Sequence, residues 1–141
     1  MPINVLFLCS GNSVRSQMAE AFLRKYGGDN FIAFSAGTEP KDIHPMTPQV
    51  MDELGISLVN HRSKSLMEYM GKVHFGYLIT VCDIAEKNCP TAFPGVGQRI
   101  LWSFEDPAAY EGNEKVKLNK FREIRDAIEK RVKDWVEEKS E

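Results

Sequence analysis

The chain has 141 residues, 43% of them apolar and 27% charged, with a formal charge of -2 and three cysteines. That size and balance fit one folded domain spanning residues 1–141 with a real core and leave no room for a separate cofactor domain. They show no basic excess for nucleic acid and nothing near the ~20 consecutive apolar residues of a membrane helix. No basic region precedes the N-terminal apolar run, so no secretory signal is expected; the cytoplasm is the expected address and a monomer the expected state.

Ile3 to Leu8 is an apolar, branched run ending at Cys9-Ser10-Gly11-Asn12 and reads as a buried parallel strand. From Ser16 to about Tyr26, Met18, Phe22 and Tyr26 share one helical face, closed by Gly27-Gly28. Phe31 to Ala36 is a second strand. Thr47-Pro48 looks like a helix start with threonine as N-cap, followed by Val50, Met51 and Leu54 and stopped by Gly55. Ser65 to about Met70 is a further short helix. Phe75 to Val81 is the third strand, ending at Cys82, and Gln98 to Trp102 the fourth. In the last element Leu118, Phe121, Ile124, Ile128, Val132 and Trp135 step by three or four, with Asp126/Lys130 and Glu129/Lys133 as expected ion pairs. Strands alternating with helices predict an α/β fold, a four-stranded parallel sheet flanked by helices on both faces. The two longest loops, Asp83 to Val96 and Phe104 to Asn113, carry Cys89 and Asp106 and invite a functional reading.

Chemistry concentrates in Cys9-Ser10-Gly11-Asn12-Ser13-Val14-Arg15-Ser16, a cysteine, five residues and an arginine between a strand and a helix. A loop wrapping into a helix N-terminus directs several backbone N–H groups at one point, which favours a tetrahedral oxyanion. The planar fork of Arg15 can clamp two of its oxygens. The same donors stabilise a thiolate at Cys9, making it a nucleophile at neutral pH. Gly11 and Asn12 suit left-handed backbone, and Ser16 can donate to the sulfur. Each cysteine taken alone reads equally as a buried, inert thiol, and an odd number of them in a reducing compartment argues against structural disulfides.

The run CSGNSVRSQMAEAF resembles the phosphate-binding loop of the low-molecular-weight protein tyrosine phosphatase fold, and SAGTEP at Ser35 to Pro40 and EDPAAY at Glu105 to Tyr110 extend the likeness over nearly the whole chain. Within that fold Ser16-Gln17-Met18-Ala19-Glu20, the run VCDIAEKNCP and the ending KFREIRDAIEKRV resemble thioredoxin-coupled arsenate reductases. The resemblance implies that Cys9 attacks arsenate while Asp106 protonates the departing oxygen. Cys82 then attacks Cys9 and releases arsenite. Cys89 attacks Cys82 in turn, leaving a Cys82–Cys89 disulfide for thioredoxin; glutaredoxin or a small thiol is the other candidate reductant. No cofactor is implied, and no GxGxxG nucleotide fingerprint occurs. Adjacent strands lie about 4.8 Å apart, so Cys9 and Cys82, each closing a strand, can start close together, while Cys89, on its loop, has to move.

The alternative is a low-molecular-weight tyrosine phosphatase using Cys9, Arg15 and Asp106, with Cys82 and Cys89 as bystanders; a third is a non-catalytic oxyanion-binding domain. Val14 stands where many phosphatases of this fold have a second cysteine, and no tryptophan lies within Ser35 to Met46. Some reductases of the family hold a potassium ion near the loop. Asn12, Glu20 and Ser35 match three of its positions, but Lys64 replaces the expected aspartate. The Lys64 ammonium, pairing with Glu20, is expected to take the cation's place, and no bound metal is expected. His44, His61 and His74 read as surface or packing residues.

Overall fold

The computed structural model describes residues 2–82 and 94–139. Ile3–Cys9 forms β1 and Phe31–Gly37 forms β2; Phe75–Thr80 is β3 and Val96–Leu101 is β4. The sheet is parallel throughout, in the order β2-β1-β3-β4. β1 is central and its Val5 to Cys9 are buried, which is why it reads as an unbroken apolar run. Leu8 pairs with Thr80 and Cys9 with Gly37, so the C-terminal ends of the three strands meet on one rim. In open parallel sheets that rim is where ligands bind.

Helix α1 spans Arg15–Gly27, α2 Met46–Asp52 and α3 Glu114–Lys139. α1 and α3 pack together against one face of the sheet, where the Trp135 ring lies 5.1 Å from Phe31 and 5.0 Å from Tyr77. The opposite face is covered by the 3-10 turn Leu66–Glu68 and the following Tyr69, whose ring meets Phe34 edge-on at 5.3 Å. Strand alternation puts Phe31 and Phe34 on opposite faces.

Four details differ from the sequence expectation. Thr47 does not cap α2: the N-cap is Pro45, two residues earlier, and the Thr47 hydroxyl donates to the Ser13 carbonyl at 2.9 Å. The stretch from Ser65 to Met70 shortens to a single turn, with Ser65 accepting from the Met67 N–H. β4 ends at Leu101, so Trp102 lies just past the strand, buried in the core. On α3, Asp126 turns to Arg125 and Glu129 to the Tyr26 hydroxyl, while Lys130 pairs with Asp134. Glu129 leaves its helix for a tertiary partner, whereas Asp126 and Lys130 take partners on the same helix, where exposed pairs are worth only about 0.3–0.5 kcal/mol. Among the described residues, no helix is long and apolar enough to cross a membrane.

Candidate active site

The segment joining β1 to α1 is shaped by the chain that follows β2. The N–H groups of Thr38, Glu39, Lys41 and His44 donate to the carbonyls of Cys9, Ser10, Gly11 and Ser13 at 3.2, 2.8, 2.8 and 3.3 Å. Ser63 Oγ also donates to Gly11 O at 3.1 Å. With the carbonyls engaged outward, the amide groups of the loop remain to face the cleft. The N-cap position of α1 is Val14, whose side chain makes no capping hydrogen bond, which leaves the first-turn N–H groups as candidate donors to an anion. Asn12 makes the tight turn possible in left-handed backbone, with φ of 50°.

Cys9, the expected nucleophile, sits under these donors. Cys9 Sγ accepts from the Asn12 N–H at 3.1 Å and lies 2.9 Å from Ser16 Oγ. Because Ser16 Oγ accepts from Asn12 Nδ2 at 2.8 Å, its own proton is available to the sulfur. Both groups stand within hydrogen-bond distance of one buried sulfur. Arg15 is buried and its Nη1 donates to the Phe104 carbonyl at 2.9 Å, with Nη2 3.8 Å from Asp106 Oδ2. Its Nε is buried without a hydrogen-bond partner among the described residues, a donor suited to an oxyanion. Asp106 caps the turn Pro107–Ala109 through its Oδ1, which accepts from Ala108 N–H at 3.0 Å. Its side chain is 42% exposed at the cleft edge, where a proton can be exchanged with solvent.

Beneath the loop lies a buried polar network that the sequence reading only partly anticipated. Asn12 Oδ1 accepts from Lys64 N–H at 2.8 Å and lies 3.4 Å from Lys64 Nζ. That ammonium also reaches Ser35 Oγ at 3.2 Å and the Arg62 carbonyl at 2.8 Å, with Glu20 Oε1 at 3.7 Å. The expected pairing of Lys64 with Glu20 is therefore the longest of these contacts; Glu20 is held more closely by Ser35 and by Arg24, at 2.5 and 2.7 Å. Burial pushes the Lys64 ammonium below the ordinary lysine range, with Glu20 opposing that shift. Gln17 and His61 complete the network, and neither was expected to serve the site. Their signal was weak: His61 is a single histidine in a loop, and its 6% side-chain exposure is visible only in the fold.

The cleft above the loop holds about 380 Å³ and is lined by Cys9, Arg15 and Asp106 with Lys41 to Pro45 and Ala108. His44, expected as a surface or packing residue, is half-buried in this wall. Its Nδ1 accepts from Met46 N–H at 3.1 Å and its ring packs 4.9 Å from Phe121. Burial, then the nearby Lys117, pushes His44 below the ordinary histidine value, against the pull of Asp106. Cys82 is buried just beyond β3, two residues past the partner of Leu8. Sequence-predicted Ser10, Gly11, Ser13, Val14 and Arg15 line the cleft, whereas Asn12 and Ser16 are buried beneath it. Cys89 lies outside the described residues.

Comparison with known proteins agrees with this geometry. Residues 4–141 match the family described as low molecular weight phosphotyrosine protein phosphatase. An arsenate reductase of Halalkalibacterium halodurans is 40% identical over 134 residues, covering 94% of each chain. A solved arsenate reductase in its phosphate-binding state superposes with a TM-score of 0.80 at 27% identity, over 98% of each chain. A thioredoxin-dependent arsenate reductase of Corynebacterium glutamicum gives a TM-score of 0.72 at 27% identity, covering 97% of this chain and 62% of that one. With the cysteine–arginine loop at the strand rim and the match running through the last residue, this chain belongs to the low molecular weight phosphotyrosine protein phosphatase family.

Proposed function

We propose that this chain is an arsenate reductase that passes oxidation along three thiols and is regenerated by thioredoxin. The observation that carries the reading is the placement of Cys82: it is buried just past β3, the strand paired directly with the one that ends in Cys9. A hydrolase needs no second thiol there. The names of the relatives support the same reading, since the reductase of Halalkalibacterium halodurans matches this chain across nearly its full length.

In the proposed cycle the loop amides and Arg15 bind arsenate, spreading its charge over fixed donors. The Cys9 thiolate attacks arsenic, and an As–O bond breaks as Asp106 delivers a proton, so that water leaves. The Cys82 thiolate attacks Cys9 Sγ, forming the S–S bond; the As–S bonding pair stays on arsenic, which departs as arsenite, reduced by two electrons. Cys89 attacks Cys82 Sγ and expels the Cys9 thiolate. The dithiol of thioredoxin reduces the resulting Cys82–Cys89 disulfide and takes up the oxidation. Ser10, Gly11, Asn12, Ser13, Val14 and Ser16 supply or orient the donors. The expected setting is a monomer in the cytoplasm, where thioredoxin keeps thiols reduced.

Hydrolysis of an aryl phosphate is the second reading, because Cys9, Arg15 and Asp106 would equally serve it and the family is one of phosphatases. The cleft wall argues for a small oxyanion instead: among the described residues its lining includes no Phe, Tyr or Trp to stack on an aryl ring. The deciding experiment is arsenate-dependent NADPH oxidation with thioredoxin and thioredoxin reductase, for wild type and Cys89→Ser together. Multiple turnovers in wild type and at most one in the variant are expected. Brisk aryl phosphate hydrolysis with no arsenate turnover would make the chain a phosphatase.

A further inference from the structure

The donor and acceptor inventory beneath the loop admits one arrangement. Gln17 is fully buried, and its Nε2 is surrounded by three oxygens: Asn12 O at 3.0 Å, Asn12 Oδ1 at 3.1 Å and Arg62 O at 2.9 Å. Only the amino end of the amide, whose two hydrogens are shared among these acceptors, can face them, so the other end, Oε1, must accept. What stands 2.8 Å from Oε1 is His61 Nδ1, which therefore carries a hydrogen. On the far side of the ring, His61 Nε2 lies 3.2 Å from Arg24 Nη1. A guanidinium has no acceptor, so Nε2 must be the unprotonated nitrogen. Arg24 is itself anchored, with Nη2 2.7 Å from Glu20 Oε2.

We propose that His61 is a positioning residue for the Cys9 loop: held by Arg24 in its Nδ1–H tautomer, it fixes the Gln17 amide, which clamps Asn12. Asn12 is the residue in left-handed backbone, and its N–H donates to Cys9 Sγ while its side chain donates to Ser16 Oγ. Turning the Gln17 amide over would leave three carbonyl-type oxygens facing another oxygen and would release the one turn that aims donors at the sulfur. The chain of contacts from Arg24 through His61 and Gln17 to Asn12 thus runs from the outer side of α1 to the nucleophile. It requires only an oxyanion-binding nucleophile loop, and it stands whether arsenate or an aryl phosphate is the substrate.

The test uses the full chain carrying Cys82→Ser and Cys89→Ser, so that Cys9 is the one thiol. The readouts are iodoacetamide alkylation at neutral pH and the phosphate Kd by calorimetry, with near-UV circular dichroism confirming the fold. His61→Leu is expected to slow alkylation and weaken phosphate binding about tenfold. His61→Asn, whose Nδ2 can replace the Nδ1–H donor, is expected to recover both to within about threefold. Adding Gln17→Leu to His61→Leu is expected to cost nothing beyond Gln17→Leu alone. Wild-type values in His61→Leu, equal defects in the Asn and Leu variants, or additive losses would each overturn the proposal. A second arm covers misfolding of His61→Leu. Arg24→Met, on a half-exposed side chain, frees the tautomer and is expected to slow alkylation and weaken phosphate binding about threefold in wild type but not in His61→Asn. Equal losses in both backgrounds, or none in either, would overturn the tautomer lock.

Discussion

Gly37 and Ser10 approach so closely that a Cβ on Gly37 would stand 2.6 Å from the Ser10 carbonyl oxygen and 3.0 Å from Asn12 N. The end of β2 is thus pressed directly against the oxyanion loop. Gly37 N–H also donates to the Lys64 carbonyl at 2.8 Å, so it cannot back away without releasing the polar network below. Both obstacles are backbone atoms and cannot rotate aside. Gly37→Ala is therefore expected to destabilise the fold by about 1–3 kcal/mol and to weaken phosphate binding more than about tenfold. Urea denaturation and calorimetry measure the two effects; an alanine variant binding phosphate normally would show that the loop is not held from this side.

Arg15 performs two tasks that a lysine cannot combine. Nη1 holds the Phe104 carbonyl while Nε stays buried and free for an oxyanion. Arg15→Lys keeps the charge but loses the planar fork, and the expected result is a loss of about 100-fold or more in kcat/KM with little change in melting temperature. Activity within a fewfold of wild type would reduce Arg15 to a point charge.

Lys64 places its ammonium among Asn12, Ser35 and the Arg62 carbonyl. This tethered ammonium is expected to stand in for a mobile cation. Wild type is expected to melt at the same temperature in potassium and sodium chloride of equal ionic strength. Lys64→Asp, which adds a carboxylate beside Glu20, is expected to be less stable and to regain several degrees in potassium alone. A wild-type protein that responds to potassium would show that Lys64 does not fill that role.

Acid should weaken the fold in two steps. His44 and His61 both lie below the ordinary histidine value, chiefly because burial disfavours the imidazolium. For His61, Arg24 and Lys64 press the same way and Glu20 opposes them. The unfolded chain binds protons at these sites near pH ~6.5 while the native protein does not, so their contribution is lost as pH falls below that value. Glu53 is held down to about 2, first by its hydrogen bond from Arg122 and also by Arg125. Its contribution is present above pH ~4.5 and lost as pH falls towards 2. Urea midpoints at pH 7.5, 5.5 and 3.5 are expected to fall at each step, with Glu53→Gln flattening only the lower one. A profile flat from pH 7.5 to 5.5 would contradict the histidine assignment.

The local parts of this protein are written in the order of its residues. Ile3 to Arg15 specify strand, loop and helix by themselves, because the apolar run, Gly11, Asn12 and the uncapped helix start act over a few neighbours. For the same reason the cysteine–arginine spacing was legible without a fold, and so was the buried stripe of α3. The tertiary structure alone decided what meets that loop. The order β2-β1-β3-β4 brings Cys82 to the strand beside Cys9, and the Phe104 carbonyl brings Asp106 within 3.8 Å of Arg15. Thr47, a cap by its local sequence, was diverted to Ser13, whose carbonyl accepts from the Thr47 hydroxyl as well as from the His44 N–H. His61 carries no sequence pattern, and Gln17 stands out in the sequence only as part of the run Ser16 to Glu20. Their roles arise from burial, which makes an unpaired polar group costly, and burial is a property of the packed chain.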